Sequence, residues 1–165
     1  MTLWETRPRE EANLFNPPFC GLIIALAVGD YAKSFPAGMP FALAFLVLPV
    51  VLHKPTRDAL PLRTTKAVSS WLDENEELKA TFPERARTLS PHAREALLYA
   101  LMRDRLRITD EGTLIVGTKS KGFSNYVESA TEEVKDCLNR AAFVGRWLST
   151  AGNAPTILAL WGVRP

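Results

Sequence analysis

The sequence predicts a mainly α-helical domain with one small β-hairpin, arranged in the manner of a winged helix-turn-helix. Three observations carry that expectation. Apolar residues recur in steps of three and four through much of the chain, as a core-facing helical stripe requires. The densest apolar stretch, Asn16 to Leu52, is split by Phe35-Pro36-Ala37-Gly38 into two blocks of helical length. Two short apolar runs, at 106–108 and 113–116, flank a turn cluster.

The 165 residues fit one domain, with 1–15 as an exposed arm and 16–165 as the folded unit. Asn16 is placed to cap a helix, with Pro17 at the first helical position, where a missing N–H costs little. This helix is expected to run to about Lys33. A second starts near Pro40 and is kinked or shortened by Pro49. The segment His53 to Thr65, with two prolines and no periodicity, reads as a loop. Ala67, Val68, Trp71 and Leu72 then share a helical face, which Leu78 and Phe82 extend as far as Pro83. Ser90-Pro91 reads as a fresh helix start, with Ala93, Leu97, Ala100 and Leu101 as its stripe and an end near Asp104.

The hairpin follows. Asp110-Glu111-Gly112 makes the turn, and Leu106, Ile108, Leu114 and Val116 are expected to face inward. Residues 117–125 read as a loop. The last long helix spans about Tyr126 to Thr150, with Val134, Leu138, Ala141 and Leu148 on its apolar side. Gly152-Asn153 ends it, and Thr156 to Trp161 forms a final apolar turn.

Composition narrows the function classes. A spanning helix needs roughly 20 consecutive apolar residues. The two apolar blocks, Phe19–Val28 and Met39–Leu52, are too short, so no membrane is expected. Glu5, Arg7, Arg9, Glu10 and Glu11 are of mixed sign, unlike the basic start of a secretory signal. A net charge of +2 exerts no bulk pull on nucleic acid, although the charges fall in blocks. Cys20 and Cys137 sit at helical spacing among apolar residues and read as buried thiols, which points to the cytoplasm.

No constellation for catalysis, cofactor or metal stands out. His53 and His92 lack neighbours at metal-ligand spacing. Gly117-Thr118-Lys119-Ser120 lacks the upstream glycine of a phosphate loop. Glu133-Val134-Lys135 has the spacing of a nuclease pair but falls on a helix, without an upstream Asp. The chain is therefore not expected to be an enzyme. Basic residues at the helix–hairpin junction, Arg103, Arg105 and Arg107, with Lys119 and Lys121 beyond, are candidates for contact with DNA or an acidic partner. Local pairing with Glu111 or with the acidic patch Asp73–Glu77 is the simpler use of the same arginines.

Two segments are more specific: RAAFVGRWLSTAGNAPTILALWGVRP, from Arg140 to Pro165, and NPPFCG, from Asn16 to Gly21. With them the chain resembles the middle components of bacterial three-component ABC-ATPase conflict systems, relatives of the Lamassu type. The resemblance extends from about Trp4 to Pro165. It implies an adaptor subunit in anti-phage or anti-plasmid defence, linking an SMC/Rad50-like ABC ATPase to an effector such as a nuclease, with DNA reached through the complex. Trp4, Phe143, Trp147 and Trp161 are candidate interface aromatics, with at least two of the last three expected in the core. Two other readings remain: a free-standing winged-helix DNA-binding regulator, and a peripheral membrane protein using the Phe19–Leu52 block.

Overall fold

The Asn16 carboxamide oxygen accepts the Phe19 N–H at 3.1 Å and starts the first helix where the sequence places it. A computed structural model of the chain describes residues 15–120 and 130–164. In order these form α1 (Pro17–Ala32), β1 (Met39–Pro40), a 3-10 turn (Phe41–Leu43), α2 (Ala44–Val51), α3 (Lys54–Ala59) and α4 (Val68–Glu74). There follow α5 (Glu76–Met102), β2 (Leu106–Ile108), β3 (Thr113–Val116), a second 3-10 turn (Thr118–Ser120), α6 (Glu132–Leu148) and α7 (Ala154–Leu160). The chain is mainly helical, with a small antiparallel sheet. All but Phe15 of the expected arm, and the expected start of the last helix near Tyr126, lie outside the described residues.

Helix α1 is apolar nearly all round, so it must be covered nearly all round. Its residues Leu22 to Ala25, Ala27 and Val28 are buried, with α6, α5, α2 and β3 packed around it. Backbones meet where α6 crosses α1. A Cβ added at Gly145 would lie 2.0 Å from the Ala27 carbonyl oxygen. Beyond the crossing, Asp30 accepts from Arg146 Nη1 at 2.6 Å and from Lys33 Nζ at 2.7 Å, which ties the two helices together at the edge of the core.

The indole and phenyl rings fill the space between α4, α5, α6 and α7. Trp71 meets Trp147 edge-on with centroids 5.4 Å apart, and Phe82 lies 4.3 Å from Trp161. Trp71 Nε1 donates to the Ala59 carbonyl at 2.8 Å and Trp147 Nε1 to the Lys66 carbonyl at 2.6 Å, so both rings are buried without orphaning their N–H groups.

Four expectations are corrected. Residues 39–40 do not begin a helix: they pair with β3, Met39 opposite Leu114 and Pro40 opposite Thr113, giving the sheet order β1-β3-β2. The segment after His53 is not all loop. Its imidazole Nδ1 accepts the Thr56 N–H at 3.4 Å and lies 2.8 Å from the Thr56 hydroxyl, capping α3, with Pro55 in the first turn. Helix α5 does not restart at Ser90-Pro91. It runs 27 residues through Pro83 and Pro91, because the stripe Phe82, Ala86, Leu89, Ala93, Ala96, Leu97 and Ala100 is buried without interruption. Pro91 sits on the exposed side, where the carbonyl it leaves unbonded can turn to solvent. In the hairpin, Leu106 and Leu114 face inward, but Ile108 is 50% and Val116 37% exposed.

Sequence reading also missed a buried cation. Arg57 on α3 is 2% exposed; its Nη1 donates to the Val51 carbonyl at 2.8 Å, its Nε to Asp136 at 2.7 Å and its Nη2 to Glu133 at 3.1 Å. Arg85 of α5 donates to the Pro49 carbonyl at 3.1 Å. Two guanidiniums thus satisfy carbonyls that the C-terminus of α2 leaves without intrahelical donors, at the end of the helix dipole that favours positive charge. Burial lowers the Arg57 pKa, but the hydrogen bonds it donates to the two carboxylates outweigh it and leave the group above its ordinary value.

Two stability outcomes follow from this packing. Gly145→Ala is expected to destabilise the fold by about 1–3 kcal/mol despite the better helix propensity of alanine, because the added methyl meets backbone rather than a movable side chain. Asp136→Ala is expected to cost about 2 kcal/mol by stripping a charge-assisted hydrogen bond from a buried guanidinium. Urea unfolding midpoints measure both; a Gly145→Ala midpoint at or above the parent's contradicts the close crossing.

Candidate functional site

Helix α5 ends in a left-handed turn. Asp104 takes φ of 52°, a conformation that Asp tolerates better than most residues. The Arg105 N–H reaches back to the Ala100 carbonyl at 2.9 Å and the Asp104 N–H to the Leu101 carbonyl at 3.1 Å, which closes the helix and aims the chain into β2. The far side of the hairpin returns to the same residue. Lys119 N–H donates to the Asp104 carbonyl at 3.1 Å, and Gly117 N–H to the Arg105 carbonyl at 2.8 Å. Asp104 is therefore the joint between the long helix and both ends of the hairpin.

Its side chain organises the surrounding cations. Arg107 Nε and Nη2 donate to the two carboxylate oxygens at 2.6 and 3.1 Å, and the Thr118 hydroxyl donates to the second of them. Those hydrogen bonds from Arg107 and Thr118, with the nearby positive charges of Arg107 and Lys119, hold the Asp104 pKa down at about 2. Arg103 extends over the Tyr99 ring at 5.6 Å, leaving its guanidinium exposed. Lys119 is exposed on the other side of the joint.

The junction thus gathers Arg103, Arg105, Arg107 and Lys119 around a single carboxylate, while Lys121 lies outside the described residues. Arg107 is held by Asp104 rather than by Glu111 or the acidic patch, in which Asp73 pairs with Lys79 and Glu74 with Lys66. Arg103 and Lys119 form no ion pair with another described residue, so they are the two cations most available to an anion. The interface aromatics fare differently. Phe143, Trp147 and Trp161 are 6%, 0% and 1% exposed, so all three fill the core and none offers an exposed ring. Trp4 lies outside the described residues.

Residues with other possible chemistry are engaged in the fold. Glu133 bonds Arg57, and Lys135 bonds Glu132 at 2.9 Å. Burial and the Arg85 charge hold the His53 imidazole below its ordinary pKa, consistent with its role as a neutral capping acceptor. Both cysteines are buried, and burial pushes the Cys20 thiol up to about 12, far from the thiolate that reactivity needs. Among the described residues no group of three or more His, Cys, Asp and Glu side chains could hold a metal ion, and no helix is long and apolar enough to cross a membrane.

A carboxylate whose pKa is depressed on folding stabilises the fold above its ordinary value, and that contribution disappears as pH falls through the lowered one. The Asp104 carboxyl is expected to titrate with a midpoint near 2, followed by carbon-detected NMR, and the Lys119 and Gly117 amide signals should move with it. Arg107→Ala should raise that midpoint toward 3.8. A parent midpoint already at 3.8 would mean that the joint is not organised in this way.

No curated protein and no solved structure matches the chain. One family model does, and it covers residues 4–165, nearly the whole sequence, including both segments that carry the resemblance noted above. A single core built from α1 to α7, reaching from the Asn16 cap to the C-terminal Trp161, agrees with one family spanning the whole chain rather than a part of it. The chain belongs to the family described as ABC-three component (ABC-3C) system Middle Component 3.

Proposed function

We infer that the protein is a non-catalytic adaptor of a cytoplasmic defence complex, acting against phage or plasmids. It joins an SMC/Rad50-like ABC ATPase to an effector such as a nuclease. The observation that carries this reading is membership, over residues 4–165, in a family of middle components, which implies protein partners on more than one side. The commitment of Glu133, Lys135 and His53 to structural bonds supports the non-catalytic part. Arg103 and Lys119 are its candidate contacts with an acidic coiled-coil face or with DNA held by the ATPase, where charge complementarity sets pairing and on-rate.

One observation favours a second reading, a free-standing winged-helix DNA-binding regulator. The strand between α1 and α2 pairs with the second strand of the hairpin, so helix, strand, helices and hairpin follow in the order such a fold uses.

Tagged protein purified from its native operon separates the two. The adaptor is expected to elute with the ATPase and to bind duplex DNA poorly alone. A regulator would bind DNA alone, as a dimer, with affinity falling steeply as salt rises. Arg103→Glu combined with Lys119→Glu spares the Asp104–Arg107 pair, so its fold should survive. Association with the ATPase or its DNA is expected to weaken at least tenfold. Unchanged association with unchanged circular dichroism would exclude this surface.

A further inference from the structure

The 3-10 turn, α5 and the C-terminal tail enclose a groove of about 740 Å³, within the usual span of roughly 300–1,000 Å³ for ligand pockets. Phe41, Phe45, Pro83, Leu158 and Val163 make it apolar, and Phe41 and Phe45 pack edge-on with centroids 5.6 Å apart. Phe41 is 37% exposed, an aromatic ring left at the lip. Arginines stand around this apolar surface: Arg87 and Arg94 from one side of α5, and Arg164 from the tail. Among the described residues, no Asp or Glu side chain lines the groove. Arg87 is already paired with Glu84 at 2.5 Å, whereas Arg94 and Arg164 make no hydrogen bond or ion pair with a described residue.

The groove is fixed by the fold. Helix α7 closes with Gly162 N–H on the Ala159 carbonyl at 3.0 Å and Val163 N–H on the Leu158 carbonyl at 2.9 Å, which needs the positive φ of 67° at Gly162. That turn lays Val163 and Arg164 against α5, with Pro83 only 3.2 Å from where a Gly162 side chain would begin. On the opposite wall, the Phe41 N–H donates to the Gly112 carbonyl of the hairpin turn at 3.3 Å.

An apolar centre with a rim of uncommitted guanidiniums fits one kind of occupant. Duplex nucleic acid meets protein chiefly through a row of cations on its phosphates, to which a sunken apolar centre adds nothing. A peptide supplies both halves: a large side chain for the centre and carboxylates that guanidinium groups bind bidentately. We propose that this groove docks an acidic amphipathic segment of a partner protein, its apolar side chain seated against Phe41 and Phe45 and its carboxylates on Arg94 and Arg164. The adaptor reading is needed only to say which protein carries the segment.

The test uses the full-length, isotopically labelled chain and two synthetic helical peptides with Leu and Phe four residues apart, one flanked by Glu and the other by Lys. The Glu peptide is expected to shift amide signals of Phe41–Phe45 and Leu158–Arg164 saturably, and Arg94→Glu with Arg164→Glu should weaken it at least tenfold. Both arginines being solvent-facing, the double variant should keep the parent's circular dichroism. Absent groove shifts, equal binding of the Lys peptide, or an unaffected double variant would overturn the proposal. So would the same shifts from phosphatidylglycerol vesicles, or a dimer that the double variant abolishes, which would put a membrane or a second copy in the groove.

Purification from the native operon gives the second arm. The double variant should lose one protein partner that the parent retains; retention of every partner counts against the groove. If the parent retains none while the Glu peptide still binds, the adaptor reading fails and the groove stands.

Discussion

The structure depends on covering one helix. With almost no polar face, α1 cannot lie on a surface, and α6, α5, α2 and β3 pack around it. Small residues make the enclosure tight. At the Gly145–Ala27 crossing the backbones of α6 and α1 touch, and at Gly21 an added Cβ would come within 3.1 Å of the Ala96 carbonyl on α5. Helices that approach this closely gain dispersion contacts along their length. The tryptophan cluster then closes the space left beyond the crossing.

Charge is used to finish this core as well as to solubilise it. A guanidinium as buried as Arg57 is costly unless most of its donors are met, and here a carbonyl and two carboxylates meet them. The same bonds link α2, α3 and α6. Asp104 plays the corresponding part at the other end of α5, joining the helix to the hairpin through backbone and side chain together. Charged groups drawn into such joints are committed to fixed partners. Arg103 and Lys119 at the junction, and Arg94 and Arg164 at the groove, have no ion-pair partner among the described residues.

Much of this was legible in the sequence. Asn16 caps a helix because it is a short polar side chain ahead of an apolar run, and Asp110-Glu111-Gly112 turns a hairpin for similarly local reasons. The failures share one cause. Met39-Pro40 becomes a strand only because Thr113 and Leu114 of β3, far along the chain, stand beside it. Pro83 and Pro91 sit inside α5 because burial of its stripe outweighs two lost backbone hydrogen bonds. Ile108 and Val116 do not follow Leu106 and Leu114 inward, and they stay partly exposed on a sheet of three short strands. In the candidate site, the basic cluster was visible from spacing, whereas the groove was not. Phe41, Arg94 and Arg164 come from distant parts of the chain and meet only through the Gly162 turn.

A rigid core that holds two distinct surfaces suits the proposed adaptor role. Hydrogen exchange on the free chain and on the assembled complex measures both parts of that arrangement. Helices α1, α5 and α6 are expected to exchange in one slowest class in the free chain, and assembly to leave α1 unchanged. New protection should fall at Arg103–Lys119 and at Phe41–Phe45 with Leu158–Arg164. Slowed or accelerated exchange throughout α1, with neither surface protected, would mean that partners remodel the core, and would contradict this arrangement.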